Sequence, residues 1–247
     1  MRKVIDFIIS IYLLPLRLSR RLALYAKGKI LPYEEHYSVT LDVIRRNFPN
    51  DNGIVVDVGA YDGDSTIFFA EKLKNKIIGF EPNPVPFEKA KKNTAKYSNV
   101  EVVNLGLSDR IGEVDFHVTT NPVSSSLFQI KDFSEISPDK IIKIQVTTLD
   151  SYFEVHKEIL LIKLDVQGAE LNILHGAKET LKKTKLILTE VSITEFYHGA
   201  CLYFDLDGFL RANHFKIHTI ITNYNNEGVK YFDILYIKSR QLTRTME

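Results

Sequence analysis

The sequence predicts an α/β protein: a doubly wound, mostly parallel seven-stranded sheet that closes with a C-terminal antiparallel hairpin. Three observations carry this. Short apolar runs recur along the chain, each followed by a stretch with apolar residues at helical spacing, which is the pattern of βα units. The run Ile159–Leu164 is apolar nearly throughout, as a strand covered on both faces must be. The last two runs, 216–222 and 231–237, are joined by Asn225-Asn226-Glu227-Gly228 with no helix between them, so they pair antiparallel.

The elements follow in order. Residues 1–24 open with Arg2 and Lys3, pass through an apolar run over 7–14, and reach Arg17, Arg20 and Arg21. Pro15 interrupts a run that falls short of the roughly 20 apolar residues of a membrane span. The arginines also stand where a cleaved leader is neutral. Residues 1–38 are read as a basic and apolar helical extension, and residues 39–247 as the main domain. The preferred role of the extension is packing on that domain or on a second copy of the chain. The sharper alternative is peripheral contact with an anionic membrane through residues 1–26.

From residue 39 the alternation is regular. Val39, Val43, Ile44 and Phe48 mark a helix over 39–48 that Pro49 stops. Strand 53–57 leads to a helix over 65–73, strand 76–80 to a helix over 87–95, and strand 100–105 follows. Residues 112–144 break the rhythm, with a hairpin around 113–118 and a loop rich in Ser and Pro. Strand Ile159–Leu164, a helix over 169–181, strand 186–191 and a helix over 206–213 complete the series before the hairpin.

Composition narrows the function classes. With 247 residues, 45% apolar and 26% charged, the chain builds a core without staples. Lys and Arg total 32 against 31 Asp and Glu, so no global basic field exists to hold nucleic acid. The single cysteine, Cys201, excludes an internal disulfide and a cysteine-clustered zinc site, which suits a cytoplasmic setting.

Open α/β sheets bind ligands at the carboxyl ends of their strands. The first strand runs into Asp57-Val-Gly-Ala-Tyr-Asp-Gly-Asp64, where Gly59 and Gly63 permit a sharp turn and a close backbone approach. Asp57, Asp62 and Asp64 make this turn acidic, a poor cradle for pyrophosphate and a good one for a cationic or neutral centre. The middle glycine of Gly-x-Gly-x-x-Gly is missing, which disfavours a nicotinamide-dependent oxidoreductase. Glu81 ends the second strand, where a carboxylate accepts from both hydroxyls of a ribose. Asp165 ends the very apolar fourth strand, in which Lys163 also stands out, and Glu190 ends the fifth and points to the same crevice. These two carboxylates are too few for a hard-cation site, and no metal is expected. Seven scattered histidines show no paired helical spacing; His198, in Phe196-Tyr197-His198-Gly199, is a further candidate base. Each carboxylate also has a structural reading: Asp57 as a turn or cap residue, Asp109 as a turn residue before Gly112, Glu170 as a helix cap.

Several motifs occur in a fixed order: Asp57-Val-Gly-Ala-Tyr-Asp-Gly-Asp64; Phe80-Glu-Pro-Asn-Pro84 with Phe87 and Asn93; Leu107-Ser-Asp109; Thr148-Leu-Asp150; Ile162-Lys-Leu-Asp-Val-Gln-Gly-Ala-Glu170; Leu174-His-Gly-Ala177; and Leu188-Thr-Glu190. Over residues 53–192 the chain resembles the FkbM-type methyltransferases, which carry a Rossmann-like class I fold. The resemblance implies S-adenosylmethionine as methyl donor and a hydroxyl of a sugar, glycan or small metabolite as acceptor. It implies that Gly59, Ala60 and Gly63 pass under the methionine portion, and that Asp57 supports that loop or meets the amino group. It places Glu81 on the ribose and Ser108 and Asp109 beside the adenine. Asp165, Glu190 and His198 are the candidate catalytic residues. One departure is visible: the family pattern reads Asp-(Val/Ile)-Glu-Gly-x-Glu, and Gln167 replaces its first Glu. The alternative reading is a nonenzymatic cofactor-binding or membrane-tethered scaffold with a degenerate pocket. Nucleic-acid methylation is disfavoured, since no Asn-Pro-Pro-(Tyr/Phe) motif follows the fourth strand.

Overall fold

The computed structural model of the chain describes residues 33–131, 138–153, 157–221 and 230–239. The segment 1–26, read as packing on the domain or a second copy with membrane contact as the alternative, and the 225–228 turn lie outside these residues. In chain order the strands are β1 (Ile54–Val58), β2 (Ile77–Phe80), β3 (Val100–Val103), β4 (Gly106–Leu107), β5 (Gly112–Thr119), β6 (Pro138–Thr147), β7 (Ile159–Leu164), β8 (Thr184–Ser192), β9 (Phe215–Ile221) and β10 (Tyr231–Lys238). The helices are α1 (Tyr33–Asn47), α2 (Asp64–Lys72), α3 (Pro84–Thr94), α4 (Leu149–Phe153), α5 (Glu170–His175), α6 (Lys178–Lys182) and α7 (Tyr203–Ala212).

Seven strands form one sheet in the order β3-β2-β1-β7-β8-β10-β9. The first five run parallel; β10 is antiparallel to both β8 and β9. Strand order reverses between β1 and β7, the place where such sheets open a crevice. All six residues of β7 are buried, because helices cover both faces. On one face Leu149, Phe153, Ile173, Leu174, Leu181, Leu206 and Leu210 pack against Val56, Ile162 and Ile187. On the other Tyr37, Val43, Ile44 and Phe69 pack against Val55, Leu161 and Leu188. Among the described residues no helix is long and apolar enough to cross a membrane.

Four local differences from the sequence pattern have physical reasons. Helix α1 starts at Tyr33 and crosses the expected boundary at residue 38, because Tyr37 joins the core. The strand expected over 100–105 ends at Val103, and Gly106 and Leu107 turn into a second sheet of order β4-β6-β5. There β5 pairs antiparallel with β6, a partner some way downstream rather than the other arm of a local hairpin. The helix expected over 169–181 breaks at Gly176, where a side chain would come within 2.2 Å of the Ser108 carbonyl oxygen. The chain restarts as α6, capped by Asp150, whose carboxylate accepts from the backbone N–H of Glu179 and Thr180 and from the Thr180 hydroxyl.

Candidate active site

A cavity of about 1190 Å³ lies at the carboxyl ends of β1, β2, β7 and β8, with Phe116 and Ile144 of the small sheet in its wall. Local chain chemistry shapes its floor. Gly59 adopts φ +79°, and a Cβ there would fall 2.0 Å from the Asp165 carbonyl oxygen, so only glycine lets the β1 loop lie against the β7 loop. The N–H groups of Gly59 and Ala60 both donate to the Phe80 carbonyl, each at 3.0 Å. The turn then delivers the Tyr61 N–H to Glu81 Oε2 at 2.9 Å, while the Asn83 N–H donates to Oε1 at 2.8 Å. Each oxygen of Glu81 keeps a lone pair for a further donor. Burial pushes this carboxyl up to about 7, against the pull of the two backbone donors.

Asp57 does not line the cavity. It is buried behind the loop, where its Oδ2 accepts from the hydroxyls of Ser65 and Thr66 at 2.6 Å each, and its Oδ1 lies 3.1 Å from Lys163 Nζ. Asp57 and Lys163 are direct register partners across β1 and β7, so their side chains leave the sheet on one face. Lys163 Nζ also lies 3.6 Å from Asp165 Oδ2.

A second polar centre stands at the ends of β7 and β8. Leu164 pairs with Thr189, which brings the next residues, Asp165 and Glu190, side by side. The Gln167 amide nitrogen donates to Asp165 Oδ1 at 3.1 Å and to Glu190 Oε2 at 3.0 Å. The Tyr197 hydroxyl lies 2.9 Å from both Gln167 Oε1 and the Ser124 carbonyl oxygen, which share its single hydrogen. Burial first, and then the charges of Asp165, Asp233 and Glu170, hold the Glu190 carboxyl well above the ordinary carboxylate range. Glu170 is buried at the start of α5, where its Oε1 accepts from the N–H groups of Val166 and Gly168 at 3.2 Å. It fixes the loop that carries Gln167.

Of the residues expected from sequence, Gly59, Ala60, Glu81, Asp165 and Glu190 line the cavity. Gly63, Ser108, Asp109 and His198 do not. Gly63 turns the chain at φ +91°, and a Cβ there would fall 3.2 Å from Thr94 Cγ2 and 3.3 Å from Ala90 Cα of α3. At the expected adenine position the lining is Leu105, Gly106 and Leu107 instead. Ser108 and Asp109 turn away toward Gly176, with the Ser108 hydroxyl donating to Asp109 Oδ1. His198 is exposed, and its neighbour Tyr197 occupies the cavity wall. Sequence reasoning missed Tyr61 and Tyr197, and saw Gln167 only as a departure from a pattern. The position next to His198 in the same loop was the available signal for Tyr197. Among the described residues no three His, Cys, Asp or Glu side chains are grouped to hold a metal ion.

Residues 57–220 match the family model of the methyltransferase FkbM domain. The chain belongs to the FkbM methyltransferase family. The 2-O-methyltransferase NoeI of Sinorhizobium fredii is 31% identical over 160 residues, a match covering 59% of this chain and 66% of that protein. The hexuronic acid methyltransferase AglP of Haloferax volcanii is 22% identical over 144 residues, covering 57% of this chain and 56% of AglP. The matches thus span just under two thirds of NoeI and little more than half of AglP. Among solved structures, the magnesium protoporphyrin IX methyltransferase of Synechocystis with bound S-adenosylmethionine superposes with a TM-score of 0.51 at 9% identity. That match covers 84% of this chain and 80% of that one, and shows the shared fold. The FkbM methyl donor is S-adenosylmethionine, and the cavity fits it. Its described lining carries six carboxyl groups, those of Asp62, Asp64, Glu81, Asp165, Glu170 and Glu190, against one cationic side chain, Lys230; burial raises Glu81, Glu170 and Glu190, and a sulfonium bound among them favours their ionised forms.

Proposed function

We propose that this FkbM methyltransferase moves a methyl group from S-adenosylmethionine to a hydroxyl of a sugar or glycan. One observation carries the reading. Across adjacent strands of one crevice stand a ribose-type carboxylate, Glu81 at the end of β2, the glycine turn after β1, and the Asp165–Glu190 pair at the ends of β7 and β8. The bound cofactor supplies a methyl group already activated on sulfur, so the chain's task is chiefly to position and to take up a proton. Gly59 and Ala60 let the backbone approach the donor closely, and Glu81 accepts from its ribose. Asp165, whose side chain is 32% exposed at the cavity surface, is the group that takes the proton of the acceptor hydroxyl. Lys163 and Gln167 hold it in place.

An oxygen acceptor follows NoeI, named as a 2-O-methyltransferase, and a sugar follows AglP, named for a hexuronic acid. The lining beyond the carboxylates supports both: Asn121, Ser124, Ser125, Ser192 and Thr194 offer polar partners to a polyhydroxylated ring. The test is incubation with methyl-labelled S-adenosylmethionine and fractionated glycans, lipid-linked sugars and small metabolites, with mass spectrometry locating the label. Label on a sugar oxygen is expected, and Asp165→Asn should lower its rate about 100-fold. Label on nitrogen would overturn the acceptor; failure of the wild-type protein to bind S-adenosylhomocysteine would overturn the reading altogether.

A further inference from the structure

Gln167 is held by more contacts than a loop residue needs. Its amide nitrogen has two N–H groups, and both are spent on carboxylates, one on Asp165 Oδ1 and one on Glu190 Oε2. Its Oε1 is fixed by the Tyr197 hydroxyl, and its carbonyl oxygen accepts from the Ser126 hydroxyl at 2.8 Å. The backbone sits at φ +57°, a conformation that non-glycine residues adopt seldom and keep only where surrounding contacts enforce it. Two carboxylates that converge on one point need a proton, a cation or a donor between them. In this chain a neutral amide fills that point.

We propose that Gln167 is the positioning residue of the proton-accepting centre, its amide standing where a divalent cation would otherwise be drawn between Asp165 and Glu190. The assignment of a proton-accepting role rests on the methyl-transfer reading of this cavity. The amide is a ligand-free clamp: it aligns the pair, adds no charge, and leaves Asp165 Oδ2 facing Lys163. A glutamate at the same place would put three carboxylates within reach of one ion.

The test compares wild type, Gln167→Glu and Gln167→Met by Mn²⁺ titration followed by electron paramagnetic resonance, with S-adenosylhomocysteine calorimetry on each. Gln167→Glu should bind one Mn²⁺ at least tenfold more tightly than wild type, and Gln167→Met should show no gain. The proposal is overturned if wild type binds Mn²⁺ as tightly as Gln167→Glu, or if Gln167→Glu gains nothing while still binding S-adenosylhomocysteine. Absence of S-adenosylhomocysteine binding by wild type would instead sink the methyl-transfer reading. Should Gln167→Glu fail to fold, carboxyl ¹³C titration of wild type and Gln167→Met decides. Loss of two donors to the carboxylates should move the titration of the pair to higher pH; an unchanged titration overturns the proposal.

Discussion

Lys163 Nζ lies 3.1 Å from Asp57 Oδ1 inside the sheet, and both side chains are buried. The pair joins β1 to β7, while the other oxygen of Asp57 gathers the Ser65 and Thr66 hydroxyls at the start of α2. One carboxylate therefore ties together the strand, the helix and the turn that approaches the cofactor. Removing one partner of a buried pair strands the other charge. Asp57→Ala is expected to cost about 3–5 kcal/mol in urea denaturation, and to weaken S-adenosylhomocysteine binding through the loosened turn. A loss below about 1 kcal/mol would fit an exposed pair and contradict this arrangement.

Glu81 couples the fold and the cofactor to pH. Its folded carboxyl titrates near 7, above its ordinary 4.5, so the protonated form favours the folded state. The folded protein holds the extra proton between these values. The contribution is full below the lower one and is lost as the pH rises through the upper one, amounting to ~3 kcal/mol. Glu81→Gln, which cannot ionise, should flatten that part of the stability–pH curve. Ribose hydroxyls donate and so favour the carboxylate. Wild type should therefore release protons on binding S-adenosylhomocysteine at pH 7, read by calorimetry in two buffers of different ionisation enthalpy. The variant should bind at least about tenfold more weakly and release none from this site.

Two glycines separate a required turn from a replaceable one. Gly59→Ala places a Cβ 2.0 Å from the Asp165 carbonyl oxygen at a positive φ, so a loss of at least about 2 kcal/mol is expected, together with loss of cofactor binding. Gly208 lies inside α7, and a Cβ there meets nothing within 4 Å. Gly208→Ala should raise stability by about 0.5–1 kcal/mol and leave binding unchanged. Thermal melts of both variants check the pair; a destabilised Gly208→Ala would contradict the open space seen around it.

Placement outside the cavity predicts silence. His198→Ala should keep methyl-transfer activity within about twofold of wild type, since the residue is exposed and outside the cavity lining, its backbone N–H donating to the Gln129 carbonyl and its ring acting on Glu195 at the surface. Asp109→Ala should bind S-adenosylhomocysteine as wild type does. A large loss in either would restore the role expected from sequence, a base in the loop after the fifth strand for His198 and an adenine contact for Asp109.

Much of the architecture was legible in the chain. The apolar run of β7, the closing antiparallel pair β9 and β10, and the glycine turn before α2 follow from local patterns, readable because period and turn chemistry act over a few residues. Glu81 was legible for the same reason: a carboxylate just after the second strand must stand at the crevice. What the sequence alone did not determine depends on register and on where distant loops land. Leu164 opposite Thr189 sets Asp165 beside Glu190, and Asp57 opposite Lys163 builds a buried pair from two residues more than a hundred positions apart. The break at Gly176 exists because the Ser108 loop arrives there, and Tyr197 rather than His198 faces the cavity because of how its loop closes. Local periodicity determines which elements form; the burial of both sheet faces at once decides which side chains meet.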